Sequence, residues 1–148
     1  MPSRHLSRRR ALQLLYECDM RKIAPEDAMR DYYHTLYTEE SEERPEADGF
    51  LELLLLGAYQ ERELLDAMIT RRSDNWKLER MPLVDRNVLR LAAFELLRTD
   101  TPPAVVIDQA IELARRFSGD ESARFVNGVL DAMRKGDEIV NRVRTAGG

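Results

Sequence analysis

The sequence predicts an all-α fold in which two helical sub-bundles, of about three and four helices, pack together in one domain. Between residues 84 and 133, apolar side chains recur three times at i, i+3, i+4 and i+7, the spacing of a half-buried helix. Pro102 and Pro103 favour a first helical turn and Gly119 favours a helix end, so the three patterns are separated by helix boundaries. A chain of 148 residues with 43% hydrophobic content can bury one core of ordinary size.

The predicted domain spans residues 1–135, with halves over about 1–73 and 74–135. Each half is too small to hold much core alone, so we expect the halves to pack against each other. After Lys135 the apolar pattern fades, and residues 136–148 are expected to be a C-terminal extension or tail.

The first helix is expected to run from Ser3 or Ser7 to Met20, because either serine could cap the apolar pattern that follows. Its apolar residues recur at helical spacing, which predicts one buried face. The expected members of that face are Ala11, Leu14, Leu15 and Cys18, with Leu12 at its edge.

The second helix is expected to begin at Pro25 and to end near Thr38, where an acidic connector over residues 38–48 follows. The third is expected to run from about Ala47 to Arg71 as one continuous helix. Its expected buried face consists of Phe50, Leu53, Leu54, Gly57, Leu64, Leu65 and Met68.

The second half contains the three patterns noted above. Glu95 falls on an apolar face, where a carboxylate needs a partner such as Arg90 or Arg98. Gly128 interrupts the last pattern, and we interpret it as allowing another helix to approach closely. The three faces are Val84, Val88, Leu91, Ala92 and Glu95; Ile107, Ala110, Ile111, Ala114 and Phe117; and Phe125, Val126, Val129, Leu130 and Met133.

Charge is unevenly distributed along the chain, although its net value is only −4. Residues 1–22 carry six basic side chains against two acidic ones, whereas residues 26–48 carry nine acidic against two basic ones. This pattern favours one local nucleic-acid face on an otherwise acidic body. Cys18 is the only cysteine, which excludes a disulfide within the chain and is typical of a reducing, cytoplasmic environment. No run is long enough to span a bilayer, and the N-terminus lacks the apolar segment of a secretory signal.

Motifs for catalysis or for cofactor binding are missing from the sequence. The two histidines and one cysteine form no CxxC or HExxH pattern, and there is no Walker loop or GxGxxG motif. We therefore predict no catalytic residue, no metal site and no cofactor, and a protein that is not an enzyme.

The first helix places polar and basic groups opposite its apolar face. Arg9, Gln13 and Tyr16 share that outer side, and Arg4 and Arg8 flank the apolar stripe. Guanidinium groups bind phosphates, while a glutamine and a tyrosine suit base edges and stacking in single-stranded RNA. The alternative, a merely solvated basic helix, is favoured when composition alone is considered.

Four segments together resemble the NusB family of bacterial transcription antitermination factors. They are RRRALQLLYECD near the N-terminus, LERMPLVDRNVLRLAAFELL, PPAVVIDQAIELARRF and RFVNGVLD, and the likeness covers residues 4 to 135. The resemblance implies a NusB-like helical fold and an RNA-facing first helix. It further implies binding of boxA RNA together with NusE, a small-subunit ribosomal protein, and RNA polymerase, in support of ribosomal RNA transcription.

The same resemblance assigns site residues position by position. The implied RNA contacts are Arg4, Arg8, Arg9, Gln13, Tyr16, Arg124 and Phe125. The implied NusE interface contains Glu79, Asp85 and Glu121. One departure is that Arg9 and Arg10 stand where the family often has an acidic and an apolar residue, which adds positive charge to this helix.

Two alternatives stay open at this point. NusB-like domains also precede ribosomal RNA cytosine methyltransferases, although 148 residues leave no room for a methyl-donor domain and the fading tail is expected of a complete protein. The chain could instead be a structural module that forms a homodimer through a long apolar helix.

Overall fold

A computed structural model of the chain describes residues 3–39, 46–73 and 77–136, and these form seven α-helices and one short 3-10 helix without any strand. The all-α prediction is therefore confirmed. The acidic residues 40–45 and the predicted tail from 137 onward lie outside the described residues. The helices are α1 (Arg4–Arg21), α2 (Pro25–Glu39), α3 (Gly49–Gln60), α4 (Arg62–Arg72), the 3-10 helix (Leu78–Arg80), α5 (Leu83–Arg98), α6 (Pro103–Ser118) and α7 (Asp120–Arg134).

The chain divides into two compact units, Met1–Gln60 and Glu61–Gly148. The first contains α1 to α3 and the second contains α4 to α7. The division falls at Glu61 rather than near residue 73, because the helix expected there is in fact two helices. That the two units form a single domain stays a prediction.

In the first unit, α1 begins directly after Ser3, which is one of the two serines that the sequence offers as a cap. The Ser3 side chain accepts a hydrogen bond from the Leu6 amide at 3.1 Å, and the helix ends at Arg21 with Lys22 as its C-cap, whose φ of 54° and ψ of 47° are left-handed. The predicted buried face is confirmed, since every one of its members is almost fully buried. Those members are Ala11, Leu12, Leu14, Leu15 and Cys18.

The prediction of one continuous third helix is wrong. Glu61 leaves helical geometry, with φ −100° and ψ 17°, and separates α3 from α4. The face assigned to this segment is also partly wrong, because Leu53 is 49% exposed and Leu64 is 45% exposed. Four consecutive leucines over residues 53–56 fit several helical registers, so periodicity could not identify the inward side. The residues that α3 buries are Leu51, Leu54, Leu55 and Ala58.

In the second unit, α5 is the central helix. Every residue from Asn87 to Leu96 is buried, and α5 packs against α4, α6 and α7. Arg90 is part of this buried stretch, and its guanidinium binds Asp66 of α4 through two hydrogen bonds of 2.6 and 2.8 Å. Arg98 instead binds Glu61. The predicted pairing of Glu95, which is 2% exposed, stays a prediction.

The helices α6 and α7 meet at Gly119, whose φ is 98° and whose amide donates to the carbonyls of Ala114 and Arg115. A positive φ favours glycine, so the predicted break is confirmed. Two expectations nearby are wrong: Phe117 is 39% exposed, and a Cβ added at Gly128 would meet nothing within 4 Å. Gly128 therefore does not serve close packing within the described chain.

Within the described residues, no helix is long and apolar enough to cross a membrane. The same residues contain no group of three or more His, Cys, Asp or Glu side chains arranged to hold a metal ion.

Candidate nucleic-acid interface

The outer side of α1 presents an exposed stripe opposite the buried face. Gln13 is exposed, Tyr16 is 39% exposed and Met20 is 60% exposed, with Arg9 half-buried at the beginning of the stripe. These four residues follow i, i+4, i+7 and i+11, so they share one side of the helix. The stripe offers a cation, an amide, an aromatic ring and a thioether, a combination that suits phosphates and unstacked bases.

Two arginines beside this stripe share one aromatic ring. The Arg4 guanidinium carbon lies 4.5 Å from the centroid of the Phe50 ring, and that of Arg8 lies 5.3 Å from the same centroid. Both distances are within the range of a cation–π contact. Arg4 is exposed, whereas Arg8 is only 7% exposed, so the structure presents Arg4 and largely buries Arg8.

Asp48 joins the three helices of the first unit. One carboxylate oxygen caps α3 by accepting the Leu51 amide at 3.0 Å, and the other accepts the Ser7 hydroxyl of α1 at 2.7 Å. The Asp48 amide donates to the Tyr33 hydroxyl of α2 at 3.0 Å. Asp48 is 4% exposed, so these bonds satisfy a buried carboxylate and fix the start of α3 against α1.

Charge on α1 is concentrated at its N-terminal half. Near the C-terminal end, Arg21 forms an ion pair with Glu17 at 2.9 Å and lies 3.9 Å from Asp31. These exposed acids offset the Arg21 charge. The arginines at positions 4, 8, 9 and 10 therefore dominate the field of this helix.

In the second unit, α7 carries the other residues implied to touch RNA. Arg124 is exposed and Phe125 is half-buried, and both lie beyond the first turn of the helix. The first turn carries Asp120 and Glu121, which already complement the positive end of the helix dipole. These acids therefore disfavour a phosphate at the N-terminus of α7.

The three residues implied to contact NusE have different environments. Glu79 of the 3-10 helix and Glu121 of α7 are exposed. Asp85 is 3% exposed, and it accepts a hydrogen bond from the Ser122 hydroxyl at 3.1 Å. Burial raises the pKa of the Asp85 carboxyl, and the Ser122 and Ser118 hydroxyls partly oppose this rise. Asp85 thus joins the starts of α5 and α7.

Sequence patterns missed the aromatic residues beneath the arginines. The apolar pattern predicts that Phe50 lies on a buried face, whereas in the structure its ring contacts Arg4 and Arg8. The Arg10 guanidinium lies 5.4 Å from the Tyr32 ring, a contact that no sequence pattern predicts. Asp48 was counted only as part of the acidic connector. Its position just before an apolar helix was the one available signal, because aspartate is a common N-cap.

The chain is similar over most of its length to proteins of one family. The family model described as NusB family matches residues 5–135. The transcription antitermination protein NusB of Solibacter usitatus is 52% identical over 135 residues, which are 91% of this chain and 90% of that protein. The solved NusB structure of T. maritima superposes with a TM-score of 0.80 at 30% identity, covering 97% of this chain and 98% of that one.

A second solved structure contains a nucleic acid. It is the complex of antitermination factors NusB and NusE with dsRNA, and the match has a TM-score of 0.74 at 26% identity, covering 89% of this chain and 96% of that one. The family match covers most of the chain, and the relatives are matched over nearly their full length. The chain belongs to the NusB family.

Proposed function

We propose that this chain is an RNA-binding transcription antitermination factor that acts with NusE and RNA polymerase on boxA-type single-stranded RNA, and so supports ribosomal RNA transcription. The observation that carries the proposal is the outer stripe of α1, in which Gln13 and Tyr16 are exposed and Arg9 is half-buried, bordered by the exposed Arg4, in a member of the NusB family. We propose no catalytic activity and no cofactor for it, and a cytoplasmic site of action, where transcription occurs.

The proposed recognition divides between charge and stacking. Arg4, Arg8 and Arg9 supply positive charge near phosphates, which gives a salt-dependent and sequence-independent share of the affinity. Tyr16 offers an exposed ring on which one base can stack, worth about 1–3 kcal/mol by alanine substitution. Gln13 offers both a donor and an acceptor to a base edge.

Arg124 and Phe125 offer the same two chemistries from α7. The exposed guanidinium suits a phosphate and the half-buried ring suits a base or ribose face. We propose that Arg124 and Phe125 also contact RNA, as the resemblance implies.

The proposed NusE interface rests on the exposed acids Glu79 and Glu121, which complement a basic ribosomal protein. Asp85 is buried, so we assign it a positioning role in which its bond to Ser122 holds α7, and thereby Glu121, against α5. RNA binding by two weak surfaces, one on each protein, gains from the effective concentration that their contact creates.

The test is binding of fluorescent boxA RNA, and of a scrambled RNA, by the chain alone and with its own NusE across a salt series. We expect Tyr16→Ala to raise the Kd for boxA by about 5- to 150-fold, from the stacking energy above, and Tyr16→Phe to stay near wild type. Arg4→Ala should reduce the salt slope by about 0.7. Arg21→Ala is the matched control, because Glu17 already offsets that charge.

Glu121→Arg tests the partner surface. It should abolish the gain from NusE and leave the binding of RNA alone at least as strong, whereas Asp108→Arg, an equal charge reversal at an exposed residue of α6, should leave the gain intact. Equal binding of boxA and scrambled RNA, together with no effect of NusE, would refute the proposed function. A homodimerisation module, whose self-association is measured by light scattering, would then become the leading interpretation.

A further inference from the structure

We infer that Phe50 is a positioning residue for RNA binding, whose ring holds the exposed Arg4 of α1 in the orientation that meets a phosphate and also contacts the buried Arg8. This inference rests on the proposed function. Neither the resemblance nor the apolar pattern assigns such a role to Phe50. The contact that carries it is one ring shared by two guanidinium groups, at 4.5 and 5.3 Å.

The two arginines create an electrostatic difficulty within α1. Arg4 and Arg8 are one helical turn apart, so they are like-charged neighbours on one side of the helix. Arg4 is also the first residue of α1, where the helix dipole disfavours a cation, and no acidic residue occupies that first turn. The negative face of an aromatic ring attracts cations, so the Phe50 ring offsets part of both penalties.

The ring is itself held in place with respect to α1. Phe50 is the second residue of α3, and Asp48, two residues earlier, caps that helix through the Leu51 amide. The same carboxylate accepts the Ser7 hydroxyl at 2.7 Å, and Ser7 lies between Arg4 and Arg8 in the sequence. The Asp48 carboxylate and the Phe50 ring therefore contact the same turn of α1. The position of the ring beside Arg4 and Arg8 is thus fixed by two helices and not by a loop.

The consequence is an arginine that is ordered before RNA arrives. An arginine side chain has about 2 kcal/mol of rotamer entropy, part of which is lost when it binds a phosphate. Stacking on Phe50 restricts the exposed Arg4 in the free protein, so less entropy is lost on binding. Arg8 is buried beneath and contributes positive charge from a fixed place.

The experiment compares Phe50→Leu with Phe50→Tyr in the full chain. Leucine keeps an apolar side chain but removes the ring, and tyrosine keeps the ring. We expect Phe50→Leu to weaken boxA binding by about two- to fivefold, which corresponds to one exposed cation–π contact, and Phe50→Tyr to bind like wild type. The salt slope should stay unchanged in both, because neither removes a charge.

Two further measurements separate positioning from general damage. In an Arg4→Ala background, Phe50→Leu should weaken boxA binding by less than twofold, because Arg4, the exposed partner of the ring, is already absent. In the free protein, NMR should show upfield ring-current shifts of the Arg4 side-chain protons in wild type and Phe50→Tyr, and their loss in Phe50→Leu. Tyr32→Leu, which removes the ring beneath Arg10, is the matched control and should leave both the Arg4 shifts and boxA affinity unchanged.

The outcomes distinguish this inference from the proposed function. If wild type prefers boxA over scrambled RNA but Phe50→Leu binds as wild type does, or costs the same with and without Arg4, the positioning role is overturned. If wild type shows no such preference, the proposed function fails and the RNA role of Phe50 fails with it. The ring-current shifts of the free protein then still decide whether Phe50 orients Arg4.

Discussion

Replacing Asp66 with alanine should destabilise the second unit more than replacing its partner, Arg90, with methionine. The two side chains form a bidentate pair between α4 and α5, with hydrogen bonds of 2.6 and 2.8 Å. Their exposures differ, because the Arg90 side chain is 9% exposed and the Asp66 side chain is 23% exposed. Removing Asp66 therefore leaves the more buried Arg90 guanidinium without the Asp66 carboxylate.

The magnitude follows from that asymmetry. Breaking a buried ion pair by removing one member costs about 3–5 kcal/mol, because an uncompensated charge stays buried. Arg90 also donates to the Asn87 side chain at 3.1 Å, so we expect Asp66→Ala to cost about 2–3 kcal/mol, below that range. Arg90→Met keeps the apolar stem and leaves a carboxylate that water can reach, so it should cost about 1–2 kcal/mol.

The assay is urea unfolding at neutral pH, followed by far-UV circular dichroism, for both single variants and the double variant. The double variant should be no less stable than Asp66→Ala alone, because it removes the buried guanidinium together with the Asp66 carboxylate that binds it. Glu63→Ala, on the exposed side of α4, is the control and should stay within about 0.5 kcal/mol of wild type. The reasoning is refuted if Arg90→Met proves the more damaging single change, or if the two effects simply add.

Three further predictions concern other sites. Gly128→Ala should stabilise the protein by up to about 1 kcal/mol, because alanine is the better helix former and its Cβ meets nothing within 4 Å; a lower midpoint of thermal unfolding would contradict this. Burial, with smaller effects from Asp19 and Glu17, raises the pKa of the Cys18 thiol from 9.0 to about 11. Its reaction with a disulfide reagent at pH 8 should therefore be at least about 100-fold slower than in the urea-unfolded chain, and equal rates would disprove the shift. Burial raises the pKa of Asp85 above its unfolded value, so its contribution to stability falls as pH rises from about 4 through the folded pKa. Asp85→Asn keeps an acceptor oxygen for Ser122. In urea unfolding, the free energy of unfolding of this variant relative to wild type should therefore increase between pH 3.5 and pH 7. A pH-independent difference would show that Asp85 does not titrate with a raised pKa.

Local signals were sufficient for α1 and insufficient for α3. In α1, Ala11, Leu14, Leu15 and Cys18 recur at helical spacing, so this buried face and the exposed Gln13 and Tyr16 opposite it follow from the sequence. Even so, the choice between Ser3 and Ser7 as the cap needed the structure. Ser7 is a residue of α1 and does not cap it. Its hydroxyl instead donates to Asp48, 41 residues later. In α3, leucines on every side leave the inward face undetermined until α1 and α2 are in place.

The site shows the same division between local and distant information. Asp85 in a first helical turn looks like a surface acid, yet it is buried and accepts the hydroxyl of Ser122, 37 residues later, with a smaller contribution from the Ser118 hydroxyl. The basic face of α1 is visible in the sequence, but the rings beneath its arginines are not. Phe50 and Tyr32 come from two other helices, and periodicity within one helix cannot state which side chains of another it will meet.

The net charge of −4 does not conflict with an RNA-binding role, because the acidic residues are distant from the basic N-terminus of α1 and salt screens their effect on it. Arg4 and Glu17 are thirteen positions apart on one helix, about 20 Å at 1.5 Å per residue. The Debye length at physiological ionic strength is about 8 Å, so exposed acids near the C-terminal end of α1 hardly weaken the field at its N-terminus. Arg21, by contrast, lies close to these acids and forms an ion pair with Glu17. We therefore expect the electrostatic contribution of α1 to RNA affinity to depend on its first three turns, so the total charge of the chain is a poor guide to it.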